Sequence, residues 1–399
     1  MKYIVLLCDG MSDSLIEGEK TSMERANLPH MDQLAKTARI GLVRTVPDGM
    51  KPGSDVCNLS VMGYDPRACY TGRSPLEAVS MGVEMADTDV SLRCNLVTLS
   101  DAERFEDRVM EDYSGGDIST EDAAELIDDV NLHFANQEFE FHKGVSYRHC
   151  LIWHGGTTEL NKMTPPHDIS GRRIGEYLSD HLDAAPLLAM MERSSQFLQN
   201  HPINLRRQSE GKSPANHIWL WGQGRRPQLD SFADKYGVKG AVISAVDLLK
   251  GIGLCAGLKT PHVPGATGYI DTNFEGKTLA ALEALKAGDF VYLHIEAPDE
   301  CGHRGEVERK RESLELIDGR VLGPLLEGLA GCGDYRLLIL PDHPTPLSTR
   351  THSSDPVPFL LYQNSAALGP GGLFTERGAA AAGDMVTEGH SLMGQLILK

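Results

Sequence analysis

No stretch of this 399-residue chain reaches the roughly 18 consecutive apolar residues that a membrane-spanning helix requires. A helical membrane protein is therefore not expected. Basic residues are in deficit, 38 Lys and Arg against 56 Asp and Glu, for a formal charge of −18. That balance disfavours nucleic acid and anionic membranes as partners, since both reward basic surfaces. The eight cysteines, from Cys8 to Cys332, include no CxxC pair of the zinc-binding kind and read as reduced thiols rather than a disulfide framework. The first apolar run, Tyr3 to Cys8, is too short for a signal peptide and is closed by Asp9. A cytoplasmic protein is expected.

What is present is ordinary globular material, 41% apolar and 24% charged, in a chain longer than one hydrophobic core usually spans. Tyr3–Cys8 is a short unbroken apolar run, as in a strand buried on both faces, and the mainly apolar runs Phe290–Ile295, Arg336–Leu340 and Val357–Tyr362 read the same way. Helical patterns lie among them at Lys277–Lys286 and Val307–Leu329. This alternation predicts an α/β domain with a mostly parallel sheet flanked by helices. The middle of the chain differs in character. A long helix is expected over Leu187–Asn200, a loop over Asn204–Pro214 and a new strand from Ile218 to Trp221. The organisation predicted is one domain built from 1–70 and 262–399, with a second α/β domain, 71–261, inserted in it.

Three strand-like runs end near a carboxylate. Asp9 follows Leu7-Cys8, Asp299 follows Ile295-Glu296-Ala297-Pro298, and Asp342 follows Leu340-Pro341. The C-terminal ends of parallel strands share one edge of a sheet, where ligands bind. Histidines accompany these acids. His303 lies four residues after Asp299, His343 adjoins Asp342, and His352 follows nine residues later. Mixed carboxylate and imidazole donors suit Mn²⁺ or Zn²⁺ better than Ca²⁺. Singly, such an aspartate is as well read as a helix N-cap, and a lone histidine as a surface or core residue. The joint occurrence is what points to a metal centre.

Gly53-Ser54-Asp55 follows a turn-rich approach, Pro47 to Pro52, and precedes helical sequence. A serine at a helix N-terminus has backbone N–H groups and the positive end of the dipole beside it, a setting suited to anions. A plain N-cap serine is the alternative reading. Beside two metals, Ser54 becomes a candidate nucleophile, because coordination activates a hydroxyl and paired ions stabilise in-line displacement at phosphorus.

The segments CDG, GSDVCNLS, APDECGHRG, PDHPTP and THSSDPVP resemble the alkaline phosphatase superfamily. With PLEAVSMGV, RCNLVTL and PGATGYIDTNFEGK they resemble, over nearly the whole chain, the archaeal-type cofactor-independent phosphoglycerate mutases. The resemblance implies an alkaline-phosphatase-like fold carrying an inserted phosphotransferase domain. It implies two divalent ions, usually Mn²⁺ with Zn²⁺ or Mg²⁺ as alternatives, and no 2,3-bisphosphoglycerate. One ion would be held by Asp299, His303 and His352, the other by Asp9, Asp342, His343 and the Ser54 oxygen. The activity implied is interconversion of 2- and 3-phosphoglycerate, a small phosphorylated metabolite of glycolysis, through a phosphoserine. Substrate contacts are expected from Arg93, Asn95, Arg148, Arg225 and Lys277, whose guanidinium and ammonium groups suit carboxylate and phosphate. One departure stands out: where archaeal mutases carry an arginine-rich segment, this chain has Asp112-Tyr113-Ser114-Gly115-Gly116-Asp117-Ile118. The competing expectation is a metal-dependent phosphotransferase or phosphohydrolase acting on another small metabolite, such as a homoserine-kinase-like activity.

Overall fold

The computed structural model describes residues 1–398 and divides into two compact units. Unit 1 comprises Met1–Tyr70 and the chain from Gln228 onward; unit 2 is Thr71–Pro227. Among the described residues there are twelve strands. In chain order they are β1 (Lys2–Cys8), β2 (Arg39–Val43), β3 (Val90–Leu99), β4 (Met110–Asp112), β5 (Phe139–Val145) and β6 (Arg148–Trp153), then β7 (His217–Gly224), β8 (Gly240–Ile243), β9 (Phe290–Ile295), β10 (Tyr335–Leu340), β11 (Val357–Gln363) and β12 (Met385–Val386).

Unit 1 is built on a seven-stranded sheet in the order β12-β2-β11-β10-β1-β9-β8. The pairings of β1 with β9 and β10, of β8 with β9 and of β12 with β2 are parallel, and β11 alone runs against the rest. Central strands of such a sheet have helices on both faces, so they need apolar side chains at every position. Every residue of β9 is fully buried, as is β1 from Ile4 to Cys8. The three adjacent strands β10, β1 and β9 therefore end together at one edge.

The second domain boundary falls at 227/228 rather than at 261/262. The reason is β8: Gly240–Ile243 pairs parallel with β9, and the helix Phe274–Ala287 makes the crossover, so 228–261 belongs to the sheet of unit 1. The run expected as one helix over Val307–Leu329 contains a π-helical turn at Ile317–Leu322. That turn presents buried Asp318 to the start of the helix Pro29–Ala35, where it accepts hydrogen bonds from the His30 and Met31 amides.

Unit 2 is an antiparallel sheet in which β3 pairs with β6 and β7, β6 with β5, and β4 with the end of β3. The helix Thr120–Phe134 packs its apolar side on it, burying Leu126, Ile127 and Val130. Two expectations fail here. Leu187–Asn200 is two helices, Ala185–Arg193 and Ser195–Leu198, separated at Ser194, whose buried hydroxyl donates to Met191 O and accepts from the Ile218 amide. The loop expected over Asn204–Pro214 begins as a helix, Pro202–Ser209, started by a proline in its first turn and capped by the His201 ring, with Ile203, Asn204 and Arg207 buried.

Beneath the strand-end edge of unit 1 lies fully buried Lys310. Its ammonium donates to Asp13 Oδ1 at 2.8 Å and to the carbonyls of Ser12 and Thr345 at 3.2 and 2.8 Å. Burial alone would raise the Asp13 carboxyl, but Lys310 and the Ser22 hydrogen bonds outweigh it and hold it below the ordinary value. A depressed carboxylate contributes stability above its unfolded value of about 4, and that stability is lost as pH falls through the folded value. Lys310→Met should cost about 3 kcal/mol at pH 7 by leaving Asp13 buried and unpaired. The variant should also lose less further stability than the wild type below pH ~4, as urea unfolding across pH will measure.

Candidate metal centre and active site

Asp9, Asp299 and Asp342 come together at the shared edge, each almost wholly buried. Two groups of donor atoms, each within 4.8 Å of one another, are Asp299–His343–His352 and Asp9–Asp342–His343. His343 joins both. His303 adjoins the first group, its Nε2 lying 3.3 Å from Asp299 Oδ2 and 3.0 Å from His352 Nε2. Local structure explains each placement. Asp299 and His303 sit on the helix Ala297–Arg304, one turn apart on one side. Gly305 ends that helix in the left-handed region. Gly10, at φ +60°, lets the chain after β1 pass so close that a Cβ would lie 2.5 Å from Thr345 Oγ1. No other residue type fits there.

Ser54 opens the helix Ser54–Val61, and its Oγ is 3.2 Å from His343 Nε2. The surrounding hydrogen bonds assign the His343 tautomer. The Thr345 hydroxyl donates to Asp299 Oδ1 and lies 3.3 Å from His343 Nδ1, from which it accepts. Nε2 is then a bare lone pair facing Ser54, and burial keeps the ring below the ordinary histidine value.

Several residues of the centre have no signal in the sequence. His294, fully buried on β9, donates from Nε2 to Asp9 Oδ2 at 2.8 Å, and its Nδ1 accepts from the Ser244 hydroxyl at 3.0 Å. Burial, with Lys277 nearby, pushes its pKa well down, so it is a neutral ring that fixes the carboxylate. Asn58 donates to Asp342 Oδ2 at 2.7 Å and to Ser54 O at 2.8 Å while accepting from the Tyr292 hydroxyl at 2.6 Å. It couples the serine to the metal-type donors. The period of β9, buried on both faces, conceals such roles, because His294 and Tyr292 look like ordinary core positions in the sequence.

The donor set fits divalent cations. Asp9 Oδ1 is buried without any hydrogen-bond partner, and burial together with Asp342 and Asp299 pushes the Asp9 carboxyl well above the usual range. Burial likewise acts to raise Asp299, but hydrogen bonds from His303 and His352 outweigh it and hold it well below. His303 in turn is raised to about 9, chiefly by its hydrogen bond to Asp299. Clustered carboxylates thus draw positive charge to this edge, as protons where no metal is bound.

The expected substrate residues are placed unequally. In unit 2, Arg93, Asn95 and Arg148 lie on one face of the sheet, since Asn95 is opposite Arg148 and Arg93 is opposite Trp221. Arg93 Nε pairs with Glu77 at 2.9 Å and its guanidinium stacks 4.4 Å over Trp221. Arg225 instead spends its guanidinium on the carbonyls of Thr88 and Gly156. Lys277 is corrected outright. It has no exposed surface, its ammonium faces the carbonyls of Thr267 and His294, and burial pushes it down to about 8. Its place is structural, beneath His294. In the Asp112–Ile118 segment, the Asp112 carboxylate accepts from the Ser114 and Gly116 amides, and buried Arg207 donates to Gly115 O and Gly116 O.

The architecture and the site define a class: a mixed α/β enzyme with candidate metal-binding groups at the carboxyl edge of a mostly parallel sheet. The family model described as 2,3-bisphosphoglycerate-independent phosphoglycerate mutase matches residues 35–204. The chain is 53% identical, over the full length of both proteins, to a Geobacter sulfurreducens protein named as a probable 2,3-bisphosphoglycerate-independent phosphoglycerate mutase. It is 49% identical, again over all of both chains, to the Methanothrix thermoacetophila protein of that name. Among solved structures, the PH0037 protein from Pyrococcus horikoshii is 28% identical with a TM-score of 0.81, covering 99% of this chain and 96% of that one. The chain belongs to the 2,3-bisphosphoglycerate-independent phosphoglycerate mutase family, and is an isomerase of that family.

Metal binding should displace the proton held by His303, so affinity should rise as pH climbs from 6 towards 9. Titrating a divalent metal into chelator-treated protein, in buffers of different ionisation enthalpy, should show proton release at pH 7. Saturating metal should also raise the melting temperature, equivalent to about 2.7 kcal/mol at a free concentration of 100 Kd.

Proposed function

We propose that the chain interconverts 2- and 3-phosphoglycerate through a phosphoserine on Ser54, without 2,3-bisphosphoglycerate. The observation that carries this reading is the Ser54 hydroxyl, 3.2 Å from His343, the residue common to both donor groups. Asp299, His303 and His352 would hold one divalent ion, and Asp9, Asp342 and His343 with the Ser54 oxygen the other, Mn²⁺ being the preferred metal. Bound there, the ions would supply Lewis-acid stabilisation of phosphoryl oxygens and ease loss of the serine proton.

The chain's own residues do the rest. Asn58 fixes Ser54 against Asp342, and His343, its Nδ1 proton taken by Thr345, keeps Nε2 beside the Ser54 hydroxyl, so that one ion would meet both. In the first half-reaction the bond from phosphorus to a glycerate oxygen breaks as the bond to Ser54 Oγ forms. The Ser54 proton leaves, and the departing glycerate oxygen takes one up. Retransfer to the other hydroxyl reverses both changes. Arg93, Asn95 and Arg148 would take the substrate's anionic groups in unit 2. The cytoplasm is the compartment this activity implies.

A second reading, phosphoryl transfer to or hydrolysis of another small metabolite, draws on the Asp112–Ile118 segment, which offers no guanidinium and whose Asp112 is committed to its own turn. Incubation of Mn²⁺-loaded protein with 3-phosphoglycerate should yield 2-phosphoglycerate with little free phosphate, and mass spectrometry should find phosphate on Ser54. Ser54→Ala should lower isomerisation by 10³-fold or more (roughly 4 kcal/mol of barrier) while keeping the thermal shift by metal. Rapid phosphate release without isomerised product would favour the second reading instead.

A further inference from the structure

The guanidinium face of unit 2 has members that the motif resemblance did not single out. Glu77 bridges two arginines, its Oε1 2.8 Å from Arg73 Nε and its Oε2 2.9 Å from Arg93 Nε. Arg148 lies on the same sheet face with its guanidinium over Tyr147. Two guanidiniums share one carboxylate and a third lies on the same sheet face, a local surplus of positive charge in a chain whose overall charge is −18. His167 completes the face. Its ring stands edge-on to Trp221 at 5.5 Å, the same indole that Arg93 stacks upon, and edge-on to Tyr113 at 6.1 Å. Its side chain is half exposed, so a ligand can reach it.

This arrangement poses a chemical question. A glycerate bears a carboxylate, which only accepts hydrogen bonds, and a hydroxyl, which also donates. Guanidiniums satisfy the first and cannot accept from the second. Glu77 is committed to two arginines and Asn95 Oδ1 to Trp221 Nε1 at 3.0 Å, while the exposed Asp168 carboxylate lies 3.5 Å from His167 Nε2, which places the ring proton on Nε2 and leaves Nδ1 as the lone pair. A neutral imidazole ring nitrogen can accept.

We infer that the Arg73–Arg93–Arg148 face receives the substrate's carboxylate and that His167 accepts a hydrogen bond from the adjacent free hydroxyl, making His167 a specificity-determining residue. This inference rests on the phosphoglycerate reading and adds to it the group that distinguishes a hydroxy acid from a plain carboxylic acid. The electrostatics agree with it. Burial lowers His167 below the ordinary histidine value; Asp168 opposes the shift, while Arg93 and Arg73 reinforce it. The ring is therefore neutral at pH 7 with a lone pair to offer. As pH falls through its lowered value the ring protonates and the acceptor disappears.

The test uses the full-length, Mn²⁺-loaded Ser54→Ala chain, which binds without turning over. Calorimetry compares 3-phosphoglycerate with 3-phosphooxypropionate, which lacks the 2-hydroxyl. With His167 present, the hydroxy compound should bind about tenfold more tightly at pH 7.5, and less selectively as the pH is lowered and the ring takes up a proton. His167→Ala should bring the ratio to about 1 without changing affinity for the deoxy analogue; His167→Gln, which keeps an acceptor, should restore part of it. Tyr113→Phe should leave the ratio intact, and Arg73→Ala should weaken both ligands alike. A ratio that survives His167→Ala, or one abolished by Tyr113→Phe, overturns the assignment of His167 while leaving the mutase reading standing. Absence of 3-phosphoglycerate binding to the His167-intact chain overturns both.

Discussion

Three carboxylates buried at one edge of a sheet repel one another, and their burial leaves that repulsion weakly screened. Most of what is unusual in unit 1 answers to that repulsion between Asp9, Asp299 and Asp342. Glycine stands at position 10 because the chain after β1 must pass against Thr345 and Asp299. Lys310 is buried to tie Ser12, Asp13 and Thr345 beneath the edge. His294 and Asn58 each donate to one of the acids, and each is itself held by a hydroxyl, from Ser244 and Tyr292 respectively. Buried donors of this kind keep ligands in one orientation, which a metal centre needs more than it needs net stability.

The two units solve opposite electrostatic problems. Unit 1 gathers negative charge in a buried cluster that calls for cations. Unit 2 gathers positive charge on one sheet face, with aromatic rings beneath Arg93 and Arg148 and one carboxylate, Glu77, pairing with both Arg73 and Arg93. Stacking on Trp221 and Tyr147 holds these long side chains in place without consuming their hydrogen-bond donors.

Similarity to the mutase family is strong along the whole chain, and the Asp112–Ile118 segment is where local chemistry differs from the expected pattern. The structure gives that segment a clear structural use. Asp112 closes a turn on Ser114 and Gly116, and Arg207 braces the two glycine carbonyls from below. A guanidinium is therefore present at the segment, but it comes from the helix Pro202–Ser209 and is turned inward as support.

The parallel-sheet domain and the candidate donor residues were legible from the amino acids alone, because both are written in short-range signals. A short, mainly apolar run such as Phe290–Ile295 reads as a strand covered on both sides, and acids following parallel strands fall at their carboxyl edge. Local pattern carried less information where the decisive contacts are between distant residues. The strand Gly240–Ile243 is too short to stand out, and only its pairing with β9 assigns 228–261 to unit 1. Lys277 looked like an anion holder, yet the packing of its helix on β9 turned it into the interior. His294, Asn58 and Thr345 gained their roles solely from tertiary proximity, since a hydrogen bond across 284 or 285 positions of chain leaves no trace in either neighbourhood.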